Sequence, residues 1–184
     1  KLKKKNYNSG LTWSLNFWIY IKDWNYNYKQ NKYIIVWDNC NVWLSKNHND
    51  LNIHIPTYNN RHGFRETIKN LPLQKWLNIN IGLDNRSLDI WVNGKLYNSK
   101  YLHNVPKLHN KSNMIICPYG GYSGYISKVQ YYSYVIKKNQ LLNYDNIYSI
   151  FKSGPFKLKI PIISQLKKLY RHRPKINIEM ELDD

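Results

Sequence analysis

The sequence predicts an all-β protein built as an antiparallel sandwich of two sheets. Apolar residues alternate with polar ones in at least eight segments, which is the period of a half-buried strand. Turn-forming pairs such as Asn59-Asn60, Asn93-Gly94 and Gly120-Gly121 separate these segments at short intervals. Helical periodicity is confined to one segment near the C-terminal end. Many short strands at this spacing are typical of a sandwich or a barrel.

The first predicted strand is the longest, and it shows why two layers are needed. Residues 11–22 read LTWSLNFWIYIK, and every second residue from Leu11 to Ile21 is apolar. A strand with one continuous apolar face must bury that face against a second layer. The next predicted strands are YIIVWD at 33–38, NVWLS at 41–45, LNIHIP at 51–56 and KWLNINIGL at 75–83.

Residues 88–99, LDIWVNGKLYNS, predict a β-hairpin. The Asn93-Gly94 pair interrupts the alternation, and Asn-Gly suits a type I′ turn because both central residues there need positive φ. Two further segments complete the strand prediction, namely NMIIC at 113–117 and SGYISKVQYYSYV at 123–135. We therefore expect this hairpin to form one corner of the sandwich.

One short helix is predicted at residues 137–152, where KKNQLLNYDNIYSIFK has an imperfect apolar stripe and Gly154-Pro155 supplies a stop. The domain organisation that follows is a basic N-terminal arm at 1–7, the sandwich at 8–156 and an extended C-terminal arm at 157–184. Pro161 and Pro174 break any long helix in that last segment.

The C-terminal arm is too apolar for a simple flexible tail, so we expect it to dock on another subunit or a neighbouring protein. Its acidic end, from Glu179 to Asp184, would face a basic surface such as the sandwich itself. The predicted docking residues are Ile162, Ile163, Leu166, Lys167, Lys168, Leu169, Arg171 and Arg173.

The chain has a formal net charge of +17, which favours polyanionic partners such as nucleic acid, anionic glycans or acidic proteins. Four of the positive charges lie among residues 1–5.

Cys40 and Cys117 have neither a CxxC nor a zinc-ligand spacing, so we expect inert thiols or at most one disulfide. No apolar run reaches the length of a membrane-spanning helix.

Three stretches together resemble a known family: LTWSLNFWIYIKDW, LPLQKWLNINIGLDNRSLDIWVNGKLYNS and SGYISKVQYYSYVIKKNQLLNYDNIYSIFKSGPF. Their order is similar to the laminin-G-like branch of the concanavalin A-like lectin/glucanase superfamily, of the type encoded by large double-stranded DNA viruses. The resemblance covers residues 8–156 and implies a jelly-roll sandwich of two antiparallel sheets. It implies little about function, because the shared motifs are turns and core strands.

The pattern of carboxylates and histidines in the sequence supports neither an enzymatic nor a metal-binding function. Sugar hydrolysis needs two facing carboxyl groups, and the Glu-x-Asp-x-x-Glu pattern of the glucanases is absent from the sequence. Calcium needs clustered oxygen ligands, whereas Asp23, Asp38 and Asp50 are scattered in a basic background. The six histidines show no HxH or HExxH spacing. We therefore predict no catalytic residues, no metal site and no cofactor.

Binding is the remaining function, and aromatic loop residues are its candidates. Aromatic rings on loops stack on sugars or bases, or anchor a protein interface. The candidates are Trp24, Tyr26 and Tyr28 in DWNYNYKQ, and Tyr119 and Tyr122 in PYGGY. The same rings could instead cover the ends of the sandwich.

We expect a non-catalytic, virion-associated module, a minor capsid or surface protein that makes protein–protein contacts, located in the virion or the host cytoplasm. The alternatives are a carbohydrate-binding lectin module and a protein that binds nucleic acid or another polyanion. The outward positions of Trp18 and Trp91 indicate that part of an outer sheet face is covered, for which the C-terminal arm is a candidate.

Overall fold

The structure, a computed structural model, describes residues 11–109 and 112–136, and that part is a sandwich of two antiparallel sheets. The predicted helix at 137–152 and both arms lie outside the described residues. The strands are β1 (Thr12–Asp23), β2 (Lys32–Val36), β3 (Asn41–Leu44), β4 (Leu51–Thr57), β5 (Asn60–Ile68), β6 (Trp76–Asp84), β7 (Ser87–Val92), β8 (Lys95–Tyr101), β9 (Ile115–Ile116) and β10 (Ser123–Tyr132).

The first sheet has the order β10-β1-β6-β7-β8, and the second has the order β5-β4-β3-β2-β9. Most of the second sheet is made of strands that follow one another in sequence, whereas β1 pairs with β6 and β10. The prediction of an antiparallel two-sheet sandwich is thus confirmed. Asn93 and Gly94 have φ values of 50° and 73°, as the predicted turn between β7 and β8 requires.

The core lies between the sheets and is supplied by alternate residues of their facing strands. From β1 it receives Trp13, Leu15, Phe17, Ile19 and Ile21, all 0–1% exposed. Burying each such side chain is worth roughly 1.5–3 kcal/mol, so this strand alone supplies much of the free energy that holds the layers together. The opposite sheet contributes Ile34, Ile35, Val42, Leu44, Leu51, Ile53 and Ile55.

A β-bulge in β2 sets which of its residues face inward. The register shifts between Tyr33 and Ile35, so Ile34 and Ile35 both point into the core. Tyr33 is paired with Trp43 of β3, and both rings lie on the outer face of the second sheet. Lys32, in register with buried Leu44, is directed inward and is 1% exposed.

The outer face of the first sheet is partly covered, as Trp18 indicated. Trp18 is 2% exposed, while Trp91 is half-buried. The chain returns across this face after β10, where the Ile136 amide donates to Ser14 Oγ over 2.9 Å. Residues 11–109 and 112–136 include no helix that is long and apolar enough to cross a membrane.

β5 is a strand that the sequence pattern did not predict. It reads NRHGFRETI, with polar residues on both faces and a glycine of positive φ at position 63. An edge strand of this kind buries little apolar surface, so it lacks the alternation from which strands are predicted. Its Cα register with β4 joins His54 to Arg65 and Leu51 to Ile68.

Candidate functional site

The outer face of the second sheet carries an open groove of about 660 Å³. Aromatic rings, amide side chains and cationic side chains line it, and they come from β2, β3, β4, β5 and three loops. We call this surface the groove. Its lining residues are Asn31, Tyr33, Val36, Asn41, Trp43, Ser45, Lys46, Asn47, His48, Asn52, His54, Arg65 and Tyr119.

Three aromatic rings form one row of the groove. Tyr33 and Trp43 are cross-strand partners whose ring centroids lie 6.2 Å apart. Tyr119, from the loop after β9, meets Tyr33 edge-on at 5.6 Å and an interplanar angle of 73°. Tyr119 is 79% exposed, so most of its ring is available to a ligand. All three rings lie outside the core, so a ligand can contact them without any rearrangement of the core.

Polar side chains continue the same row across β4 and β5. Asn52, the cross-strand partner of Trp43, donates from Nδ2 to Ser45 Oγ over 2.7 Å. Thr67 Oγ1 donates to Asn52 Oδ1 over 2.9 Å. These hydrogen bonds fix the orientation of the Asn52 amide beside the Trp43 ring. The groove therefore offers oriented amide and hydroxyl groups next to aromatic surface.

The next row contains His54 and Arg65, which are cross-strand partners on β4 and β5. The Arg65 guanidinium carbon lies 5.6 Å from the centroid of the Trp43 ring, a cation–π arrangement. His54 Nε2 lies 3.1 Å from the carbonyl oxygen of His62. Since a carbonyl only accepts, Nε2 is the protonated nitrogen. Burial, together with the nearby Arg65 charge, lowers the pKa of His54 despite that hydrogen bond, so the ring is neutral at pH 7.

Gly63 makes the approach of His54 to β5 feasible. Its φ is +60°, and a Cβ built at this position would lie 2.4 Å from His54 Nε2 and 2.7 Å from the Ile55 carbonyl oxygen. A side chain at position 63 would therefore displace the histidine ring and strain the backbone.

The loop at residues 24–31 supports two walls of the groove. The Tyr26 hydroxyl donates to the Gly120 carbonyl over 3.1 Å, and the Lys29 amide donates to the Lys46 carbonyl over 3.3 Å. The first bond holds the loop that carries Tyr119, and the second holds the β3–β4 loop. We call residues 24–31 the supporting loop.

The loop that carries Tyr119 has an unusual backbone. Cys117, Tyr119, Gly120 and Gly121 have φ values of 52°, 57°, 84° and 55°. A left-handed conformation is costly for a residue with a Cβ and persists only where surrounding contacts enforce it. The hydrogen bond from Tyr26 and the edge contact of Tyr119 with Tyr33 are two such contacts.

The five predicted binding residues occupy different environments. Tyr119 lines the groove, and Tyr26 is joined to its loop, so the structure brings these two predictions together. Tyr28 is exposed beside Lys29, outside the groove lining. Trp24 packs against the core, as does Tyr122, whose hydroxyl donates to the Tyr125 carbonyl over 2.6 Å. Burial raises the pKa of Tyr122. The predicted docking residues of the C-terminal arm lie outside the described residues.

Sequence reasoning missed Tyr33, Trp43, Asn52 and Arg65. A usable signal was present in NVWLS, where buried Val42 and Leu44 alternate with an outward-facing tryptophan. An aromatic residue at the outward position of a predicted strand marks either a covered face or a binding surface. Arg65 gave no such signal, because β5 itself was not predicted.

The described residues contain no candidate metal site and no reactive thiol. No three His, Cys, Asp or Glu side chains come close enough to hold a metal ion anywhere in residues 11–109 and 112–136. Cys40 and Cys117 are both free thiols. Burial raises the pKa of each, which keeps the thiols protonated and unreactive. This structure therefore contains no disulfide between Cys40 and Cys117.

No protein-family model and no curated protein sequence matches the chain. Among solved structures, it is similar to receptor-binding domains of botulinum neurotoxins. It covers 35% of the mosaic serotype C/D domain, with 71% of its own length, 14% identity and a TM-score of 0.57. It covers 34% of the serotype DC domain in complex with SialylT, with 70% of its length, 15% identity and a TM-score of 0.53.

A third similar structure is the serotype DC domain in complex with rat synaptotagmin II. There the chain covers 34% of the domain with 70% of its own length, at 17% identity and a TM-score of 0.51. The chain thus spans about a third of the length of the domains it matches. At these identities the similarity establishes a common β-sandwich fold.

Proposed function

We propose that this chain is a non-catalytic carbohydrate-binding module and that the groove is its binding site. The observation that carries the proposal is the row of Tyr33, Trp43 and Tyr119 beside the hydrogen-bonded amide of Asn52. Sugars present apolar C–H faces that pack on aromatic rings, and hydroxyl groups that need donors and acceptors at their edges. The groove supplies both kinds of contact on one surface.

The shape of the groove also supports a carbohydrate. Small-molecule pockets are mostly enclosed and apolar, with few polar groups. This groove is open, and amide, hydroxyl and cationic side chains make up most of its lining. A ligand that stays partly hydrated and hydrogen-bonds along its length suits such a surface better than a compact apolar cofactor does.

The comparisons give the proposal independent support. The similar structures are receptor-binding domains, one in complex with SialylT and one in complex with a protein, rat synaptotagmin II. Their sandwich fold is therefore found in proteins whose role is binding. The expected role in a virion, with capsid proteins as partners, stays a prediction, and so does binding to nucleic acid.

A glycan array probed with the full 184-residue chain, followed by calorimetry with the sugars that bind, tests the proposal. Trp43→Ala and Tyr119→Ala should each weaken binding by about tenfold, the loss expected when one stacked ring is removed. Tyr119 is 79% exposed, so its replacement should leave the thermal midpoint unchanged.

Tyr125→Ala is the matched control, because it removes an exposed ring from the outer side of the other sheet. Its affinity should equal that of the wild type. Absence of binding to every sugar at millimolar concentration contradicts the proposal. Binding that survives both groove substitutions places the site elsewhere.

A further inference from the structure

The charge of the groove is one-sided. Lys46 and Arg65 line it, and no carboxylate is present among its described lining residues. Most protein surfaces intersperse both signs of charge. A polar groove with cations alone presents a positive potential to whatever binds there.

Arg65 is the cation best placed to make a specific contact. Its guanidinium lies over the Trp43 ring, and within residues 11–109 and 112–136 it has no ion-pair partner. A cation–π contact occupies none of the guanidinium N–H groups, so these remain free to donate to a ligand. Those donors match the two oxygens of a carboxylate, or two oxygens of a sulfate, in a bidentate arrangement.

The cation–π contact with Trp43 also reduces the entropic cost of binding an anion. An exposed arginine loses rotamer freedom when it binds an anion, which is one reason why surface ion pairs contribute little. Here the guanidinium carbon lies 5.6 Å from the centroid of the Trp43 ring, and the register with His54 places the residue on β5. This cation–π contact favours side-chain conformations near the ring, so part of the rotamer freedom of the exposed Arg65 is lost before a ligand arrives.

We propose that the groove selects sugars that carry a carboxylate or sulfate group, and that Arg65 is the residue that determines this selectivity. The inference rests on the proposed function of the groove. The sugar ring packs on the row of Tyr33 and Tyr119, and its anionic group accepts hydrogen bonds from Arg65. Since the strand that carries Asn52 lies between those of Trp43 and Arg65, a short oligosaccharide that runs across the strands can contact all of them.

General attraction to the basic chain must be separated from this contact. A net charge of +17 draws any polyanion toward the protein, and such attraction falls steeply with salt. A bidentate contact in the groove depends on one side chain and on the structure of the sugar. Short ligands with a single anionic group, measured at physiological salt, report the second effect.

The test compares lactose with 3′-sialyllactose, which adds a carboxylate, and with 3′-sulfolactose, which adds a sulfate. Calorimetry on the full chain should show that at least one acidic ligand binds about tenfold more tightly than lactose, as expected for one charge-assisted contact. Arg65→Gln should abolish that preference, so that neither acidic ligand binds more tightly to the variant than lactose does. Arg65→Lys should restore it in part, because the charge remains while the bidentate geometry is lost.

Arg61→Gln is the control, since it removes the same charge from the same strand at a position outside the groove lining. It should preserve the preference. Equal binding of all three ligands, lost on Tyr119→Ala, overturns the acidic selectivity and leaves the proposed function standing. Preference for acidic ligands that persists in Arg65→Gln overturns the role of Arg65. Binding of none of the sugars, with capture of a protein ligand instead, overturns both.

Discussion

At the scale of single residues, Lys32 shows how strand alternation can bury a charge. Its register with Leu44 directs it inward, where Nζ lies 4.7 Å from the centroid of the Trp24 ring and 3.4 Å from the Ser45 carbonyl oxygen. Burial lowers the pKa of Lys32. Because the unfolded chain then binds more protons than the folded chain, the stability depends on pH. The contribution of Lys32 to the free energy of unfolding is less favourable at pH 7 than at a pH approaching 10.5, its unperturbed pKa.

Lys32→Met should therefore maintain or raise the free energy of unfolding at pH 7, by up to about 1 kcal/mol, since it replaces a poorly paired buried charge with an apolar chain of similar length. The advantage of the variant should shrink as the pH rises toward 10, because the wild-type lysine then loses its proton in the folded state. Urea titrations at several pH values measure both effects.

Exposed Lys22 on β1 provides the control, and Lys22→Met should change stability by less than about 0.5 kcal/mol. A clear loss of stability in Lys32→Met at pH 7 would mean that the contacts with Trp24 and Ser45 outweigh the cost of burying the charge. In that case Lys32 is a stabilising residue.

At the scale of elements, the supporting loop explains why some predicted binding residues lie beside the groove rather than in it. Trp24 anchors this loop to the core, and Tyr26 holds the loop of Tyr119. The sequence presented both as rings in a polar segment, and nothing in that pattern separates a ring that touches a ligand from one that positions a neighbour. The distinction depends on the partner loop, which is about ninety residues away in sequence.

Tyr26→Phe should weaken sugar binding by about threefold, because it deletes the hydrogen bond to the Gly120 carbonyl and leaves Tyr119 less well fixed. Its ring remains, so the thermal midpoint should stay close to that of the wild type. Calorimetry with a sugar that binds the wild type measures the affinity.

Tyr58→Phe removes the hydroxyl of another exposed tyrosine, at the turn between β4 and β5 and outside the groove lining, and should have no effect. If Tyr26→Phe binds as tightly as the wild type, the contact of Tyr119 with Tyr33 is sufficient to fix the loop.

The sequence predicted the elements that have a continuous apolar face or a characteristic turn dipeptide. The long apolar face of β1 and the Asn93-Gly94 turn each have a local signature that survives without tertiary context. β5 and the groove depend on non-local pairing. Arg65 reaches Trp43 only because β5 lies beside β4 and β4 beside β3, an order that alternation alone does not specify.

At the scale of the whole molecule, the described sandwich accounts for residues up to Ile136, and the predicted C-terminal arm at 157–184 lies beyond it. We expect the arm to become ordered when the chain assembles with another subunit or a neighbouring protein, because its apolar residues favour burial. Hydrogen exchange should show protection of 157–184 in the assembly and little in the isolated chain.

β6 serves as the internal standard of that measurement, since its core residues should be protected in both states. Strong and equal protection of the arm in both states would show that it belongs to its own domain. The interpretation of the arm as an intermolecular contact would then be wrong.

The pairing of β1 with strands from much later in the chain has a consequence for biosynthesis. Ser14 pairs with Gly82 and with Tyr132, so β1 leaves the ribosome well before either of its neighbours exists. The sheet that carries the groove can form largely from successive hairpins during that interval, while the long apolar face of β1 remains unpaired. Charged residues that flank such a strand oppose its self-association. The lysines at positions 1, 3, 4 and 5 precede β1, which begins at Thr12, and we expect them to oppose the self-association of this strand in the nascent chain.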